Sequence, residues 1–308
     1  MSLANLSPYT LNEYSDRLEW LGARGDSIGS SDGPAIMGCG YAGTSESTVW
    51  AEKVHGIQVV VPDADALKKG SIGEEFVVRM FQEDHPEFQV HTGTEGGVHR
   101  MFKSTERRYV TASLDAFYQD GDQLIPIEAK VITFEDADWR SGNVPVNYII
   151  QLHHQMYVLG ASYGWVIAQV SGKYVEKKIE RNQELIDAML EAYGEFWSSV
   201  QSQTPPATDV SQAACNTLHD LAEDVATPVS QEVADQIKER MAIDDEIKAM
   251  ESKLELLKEK RAKVEVVIRR SISVKWAILP DQSAVVMNRN RWKKYTRLPK
   301  TVRVDYFL

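Results

Sequence analysis

Two strand-like runs, "YVTASLDAFYQ" and "QLIPIEAKV", flank "DGDQ", the composition of a tight turn, and this hairpin constrains the chain more than any other feature. Side chains alternate across a strand, so Ile125, Ile127, Ala129 and Val131 share one face while Glu128 and Lys130 share the other. The apolar face marks a core strand. Its second face is then expected to be covered too, and charges under a cover need partners. If the hairpin closes, Asp115 comes near Glu128, and two carboxylates converge with one ammonium.

That convergence suits a hard cation. Mg²⁺ takes oxygen ligands in near-octahedral geometry, and Asp115, Glu128 and the Ala129 carbonyl supply such oxygens; Mn²⁺ is the other ion considered. The metal would polarise a phosphoryl oxygen and acidify a water, which Lys130 would hold or help deprotonate. The chemistry expected is hydrolysis of a phosphodiester. A solvated hairpin face would carry the same residues, so the bare pattern leaves both readings open.

Composition narrows the class. The 308 residues are 43% hydrophobic and 26% charged, as in ordinary globular proteins. No apolar run approaches the roughly 20 residues of a membrane span. The start "MSLANLSPYTLNEYSD" lacks the basic and apolar regions of a signal peptide. Two cysteines, Cys39 and Cys215, make neither a disulfide framework nor a four-thiolate cluster. The expected compartment is the cytoplasm.

Charge is unevenly spread. Residues 231 to 308 hold 18 Lys and Arg against 12 Asp and Glu, whereas the rest holds 16 against 33. An acidic metal-binding body with an appended polyanion-binding module would show this asymmetry, and so would chance.

The chain is expected to divide at "QSQTPPATD", into residues 1–208 and 209–308. The first 60 residues read as helical with glycine-rich turns, and "KKGSIGEEFVVRMFQEDHP" as an amphipathic helix. β-rich runs follow from 88 to 131, then a helix in "PVNYIIQLHHQMYVLGA", a strand in "GWVIAQVSGKYVEKKIE" and a helix over about 182 to 200. The order implies an α/β fold, a mixed sheet flanked by helices. Residues 231 to about 270 read as one helix with apolar positions at 243, 247, 250, 254, 257, 264 and 268, a heptad seam broken at Arg261. It would fold back on residues 211–230 or form an intermolecular coiled coil. A hairpin turning at "PDQ" and a basic aromatic stretch end the chain. Between 269 and 303 there are ten Lys and Arg and one acidic residue, with Trp276, Trp292 and Tyr295 interleaved. That composition suits contact with a nucleic-acid backbone and base stacking, or a small packing or oligomerisation module.

The ordered series "RGDSIGSSD", "KGSIGEEF", "TASLDAF", "IEAKV", "VPVNYIIQLHHQM" and "FWSSVQSQTPP" resembles the phage-type recombination exonucleases. These form the YqaJ and lambda exonuclease group of the restriction-endonuclease-like PD-(D/E)xK nucleases. The resemblance runs from about residue 24 to 206. It implies a restriction-endonuclease-like core, with Asp115 and Glu128 as metal-binding carboxylates and Lys130 as the catalytic lysine. Glu74 resembles the family's helix glutamate, serving a second metal or its water shell. Gln151, preceded by Tyr148, resembles the first glutamine of Tyr-x-x-Gln-x-Gln; His153 replaces the second. Arg24 and Ser31 resemble a 5′-phosphate pocket. Adjacent on a helix, His153 and His154 point about 100° apart and are expected to be structural or near DNA.

The activity implied is a metal-dependent 5′ to 3′ exonuclease on linear double-stranded DNA. It would leave a 3′ single strand for an annealing protein and act as a homo-oligomer, often a ring trimer, in the host cytoplasm if phage-encoded. An endonuclease of the same superfamily and a non-catalytic recombination scaffold are the alternatives. No P-loop, no Gly-x-Ser-x-Gly elbow and no Cys/His metal spacing is present.

Overall fold

The computed structural model describes residues 7–41, 43–56, 64–134, 136–207, 209, 211–222, 228–271, 276–280, 283–287 and 292–295. The chain divides into two compact units, Met1–Glu223 and Asp224–Leu308.

In the first unit the elements are β1 (Tyr9–Tyr14), α1 (Arg17–Gly25), α2 (Gly33–Ile36), α3 (Glu46–His55) and α4 (Ala64–Asp84), then β2 (His91–Thr92), β3 (Thr94–Glu95), β4 (Val98–Ser104), β5 (Thr111–Ala112), β6 (Ala116–Asp120) and β7 (Gln123–Ile132). They continue with α5 (Ala137–Ser141), α6 (Val146–Leu159), β8 (Tyr163–Val170), β9 (Lys173–Glu180), α7 (Gln183–Ser202) and α8 (Gln212–Asp220). A five-stranded sheet runs β2-β6-β7-β8-β9. Its β7–β8 pair is parallel and its other pairs are antiparallel, so the sheet is mixed as expected.

The hairpin forms, with Asp120 opposite Gln123 and Ala116 opposite Ile127. Gly121 takes a φ of 57°, the left-handed conformation that such a two-residue turn demands. β7 is central and doubly covered. Leu152 of α6 lies where a side chain at Gly164 of β8 would stand, and Gln155 of α6 reaches Glu128. On the opposite face α4 crosses Val131 at Gly73, where a Cβ would overlap the valine methyl groups. Residues 128 and 131 point to opposite faces, so α6 and α4 enclose the strand between them. Burial of Ile125, Ile127, Ala129, Val166 and Ile167 completes this core.

Local signals set the helix ends. Ser45 and Thr48 form a capping box at α3, and Gly56 closes that helix in the left-handed conformation. Asn182 caps α7 by accepting from Leu185 N, and Gly160 ends α6.

Three details depart from the sequence reading. The N-terminal region contributes a strand, β1, paired antiparallel to β4. Its alternation is masked because Leu11 faces solvent, 46% exposed. β4 itself, within "GGVHRMFKS", carries Arg100 and Lys103 and lacks a plain apolar face. The segment read as one strand after α6 is a hairpin, β8 and β9, turning at Ser171 and Gly172, both at positive φ.

The second unit contains α9 (Gln231–Ser271), β10 (Trp276–Ile278), β11 (Ala284–Met287) and β12 (Trp292–Tyr295). The three strands form an antiparallel sheet in the order β10-β11-β12. Pro280 follows β10, and Asp281 and Gln282 of the expected turn lie outside the described residues. None of the described helices is long and apolar enough to cross a membrane.

Candidate active site

The residue order of β6 and β7 builds the centre. Pairing of β6 begins at Ala116, so the strand edge beyond it is free for the side chain of the preceding residue. Asp115 takes that place, its Oδ2 accepting from Ala129 N at 2.8 Å. A residue's N–H and C=O point to the same side of a strand, so the Ala129 carbonyl also faces the Asp115 edge. Gly93 holds this corner: its N–H donates to the Asp115 carbonyl at 3.1 Å, and a Cβ there would run into the Leu114 carbonyl.

Glu128 is fully buried under α6. Its Oε1 contacts the Lys130 ammonium, and its Oε2 accepts from the Gln155 amide at 2.6 Å. Lys130 also lies 3.9 Å from Asp115 Oδ2 and 5.7 Å from the centre of the Tyr148 ring. The three predicted charges therefore converge.

Their titration follows from that enclosure. Burial first, and the Asp115 charge second, push the Glu128 carboxyl up to about 7, against the pull of Lys130 and Gln155. Burial opposes the Lys130 charge, but Glu128 and Asp115 outweigh it and hold the ammonium protonated. Lys130 is thus a cation and a donor here, which favours holding a water over deprotonating it. Glu74 is also raised, by burial and then by Asp115.

A cavity of about 480 Å³ opens beside this centre, lined by Glu74, Asp115, Gln151, Arg24 and Ser31 among others. Every residue expected at the site from sequence thus lies in the cavity or in the charged cluster at its wall. Gly73 brings α4 close enough to β7 for Glu74 to reach it. Gln151 is nearly buried on α6 and lies 3.5 Å from the Tyr41 hydroxyl.

At the other end of the cavity, Arg24 donates to Ser31 Oγ at 3.0 Å and stands 4.8 Å from the centre of the Trp20 ring. Trp20 Nε1 in turn donates to Ser113 Oγ. The loop between Arg24 and Asp32 is pinned from both sides. Ile28 bridges to Val110, and Lys53 of α3 pairs with Asp32 at 2.8 Å while donating to the Arg24 carbonyl. Asp32 is therefore engaged by Lys53, and among the described residues Arg24 pairs with neither Asp26 nor Asp32.

The adjacent histidines are structural. His153 Nδ1 donates to the Ile149 carbonyl, and its Nε2 accepts from Asn182 N. His154 is fully buried between the Thr111 carbonyl and the Tyr193 hydroxyl.

Gln155 was not singled out from sequence, although it lies one helical turn beyond Gln151 and so shares its face. Tyr41, Trp20 and Ser113 were also missed; Trp20 stands one helical turn before Arg24 on α1, a spacing that could have found it, whereas no local spacing announces Tyr41 or Ser113.

No three His, Cys, Asp or Glu side chains among the described residues already form a metal cage. Asp115, Glu128 and the Ala129 carbonyl nevertheless fit a hard divalent cation. Their donors are all oxygens, and the Asp115 charge, which adds to burial in raising Glu128, is what a cation would offset.

Residues 19–162 match the model of the YqaJ-like viral recombinase domain. "Uncharacterized protein YqaJ" of Bacillus subtilis (strain 168) is 31% identical over 211 residues, 66% of this chain and 62% of that relative, so less than two thirds of its length is spanned. Two solved structures match in part. The alkaline exonuclease LHK-Exo from Laribacter hongkongensis has a TM-score of 0.47 at 17% identity, covering 60% of this chain and 93% of that one. A phage related exonuclease from Haemophilus somnus 129PT has a TM-score of 0.43 at 13% identity, covering 57% and 96%.

Proposed function

From a chain whose residues 19–162 match the YqaJ-like viral recombinase domain, we propose a divalent-metal-dependent deoxyribonuclease that digests linear double-stranded DNA from its 5′ ends. The observation that carries the reading is the convergence of Asp115, Glu128 and Lys130 at the wall of a cavity that also holds Arg24, Ser31, Glu74 and Gln151.

Asp115, Glu128 and the Ala129 carbonyl would hold Mg²⁺, or Mn²⁺ in its place, with Glu74 serving a second ion or its water shell. A cation held there would polarise the scissile phosphoryl oxygen and make a bound water acidic. Lys130, kept charged by its two carboxylates, holds the attacking water and steadies charge developing on the phosphate. Gln155 keeps the Glu128 carboxylate turned toward the site. Gln151 lines the cavity between the carboxylates and the anion-binding end. The Arg24 guanidinium, preset by Ser31 and Trp20, receives the terminal 5′-phosphate and sets which bond faces the nucleophile. The product is a 3′ single strand, the substrate class of a single-strand annealing protein in phage-type recombination. Assembly as a ring, with DNA through its centre, would let an acidic chain stay on its track without strong affinity.

The test is digestion of a linear duplex with one 5′ end phosphorylated and the other bearing hydroxyl, with and without Mg²⁺, beside a closed circle. Metal-dependent loss of the phosphorylated strand, absent for Lys130→Ala and on the circle, is the expected result. Cutting of the circle would replace the reading with an endonuclease. Absence of cleavage with Mg²⁺, and again with Mn²⁺ in its place, would leave a non-catalytic DNA-binding scaffold.

A further inference from the structure

α9 is 41 residues long and none of its residues is buried. Ile243, Ile247, Met250, Leu254, Leu257 and Val264 stand about half exposed or more. They lie at alternating steps of four and three, the a and d positions of a coiled coil. Residues 212–220, part of the segment on which the helix was expected to fold back, are packed against α3. The seam therefore lacks a described partner, and its charges indicate what fits it.

Pairing two copies in parallel would be unfavourable along most of the helix. With Ile243 at d and Ile247 at a, Arg240 and Arg261 also fall at a, and each would face its own copy in the core. At the flanks Glu239 would meet Asp244, Glu246 would meet Glu251 and Lys253 would meet Lys258; only Lys260 with Glu265 is an opposite pair.

Reversing one helix, with Met250 level with Leu254 and Ile247 level with Leu257 of the second copy, changes each of these contacts. Arg261 then faces Ile243, and Arg240 faces Val264, where their long stems cover apolar surface and the charged ends reach water. Arg240 already pairs with Asp244 one turn on, at 2.9 Å. Glu246 meets Lys260, and Asp244 meets Lys258. Like charges remain only at the two-fold axis, where Lys253 and Glu251 each meet their own copy.

We propose that α9 is a dimerisation element that pairs with α9 of a second copy of this chain as an antiparallel coiled coil. The proposal is independent of the nuclease reading, since none of its residues belongs to the active site.

The test uses the full chain with Cys39 and Cys215 replaced by serine, and nitroxide labels on Ser252→Cys or Lys238→Cys, both on the outer face of the helix. Pulsed electron–electron resonance should give about 20 Å at position 252, near the two-fold, from the spacing of two packed helices. At position 238 it should give about 45 Å, because that residue lies level with 266 of the second copy. Glu246→Lys should weaken pairing roughly tenfold, and adding Lys260→Glu should restore it. A short distance at both positions, no defined distance at 252, or tighter pairing of Glu246→Lys would overturn the proposal. So would failure of Lys260→Glu to restore pairing. An oligomer formed through the first unit alone would show no short distance at 252 and counts against it equally.

Discussion

The amide of Gln155 donates to Oε2 of Glu128 at 2.6 Å, tying the middle of α6 to the central strand β7. Glu128 is fully buried; this donor serves its Oε2, and the Lys130 ammonium is the charge partner of its Oε1. The bond favours the charged carboxylate and lowers its pKa against the upward push of burial.

Replacing Gln155 with leucine should therefore reduce metal-dependent cleavage by about 10- to 100-fold. Wild-type activity at fixed, subsaturating Mg²⁺ should rise as pH increases through about 7, where Glu128 loses its proton. In Gln155→Leu that rise should move to higher pH, because the donor that stabilised the anion is gone. Rate against pH at several Mg²⁺ concentrations measures both effects; an unmoved profile would mean that Gln155 only fills space.

Lys130→Met should abolish cleavage and also weaken the metal-free fold. Leaving Glu128 buried without its cation costs on the order of 3–5 kcal/mol. Added Mg²⁺ should then raise the melting temperature of the variant more than that of the wild type. Calorimetry with and without Mg²⁺ distinguishes this from simple loss of a catalytic group, for which both proteins would respond alike.

His154 makes the fold sensitive to acid. Burial pushes its pKa down to about 4 from the ordinary 6.5. The unfolded chain takes up a proton below 6.5 while the folded chain resists until about 4. Stability is lost across that window as pH falls, by about 3 kcal/mol in all. In His154→Asn the melting temperature should fall less steeply between pH 6.5 and 4, whatever the variant's stability at neutral pH.

At Gly93 a methyl group would collide with the Leu114 carbonyl, beside the residue whose carbonyl receives the Gly93 N–H. Gly93→Ala should cost at least about 2 kcal/mol and lower activity by shifting Asp115. Gly22 in α1 has nothing within 4 Å of its Cβ position. Gly22→Ala should be neutral or stabilise by up to about 1 kcal/mol. Chemical denaturation of the two variants side by side tests the contrast.

Much of this was legible in sequence where the information is local. Alternation along β7 and the turn at Gly121 bring Asp115, Glu128 and Lys130 together through neighbouring positions alone. Amphipathic spacing likewise announces α4, and the prolines of "QSQTPPATD" lie just past the end of α7. β1 and β4 were not legible because each mixes polar and apolar residues on both faces, and their pairing joins residues some ninety positions apart, as Tyr9 with Ser104. The hairpin of β8 and β9 was read as one strand because both flanking runs are β-rich, although Ser171-Gly172 between them is a turn signal.

By itself the sequence determined which residues carry charge on the inner strand, because a period of two is written in neighbouring positions. Only the tertiary structure decided what those charges meet. Gln155 beneath Glu128, Glu74 beside Asp115, and the Arg24–Ser31 loop at the other end of the same cavity come from parts of the chain far apart from one another. Their meeting depends on how closely α4 and α6 pack on β7. That closeness comes from long-range packing, from the missing side chain at Gly73 and the buried face of α6, which no local window of residues contains.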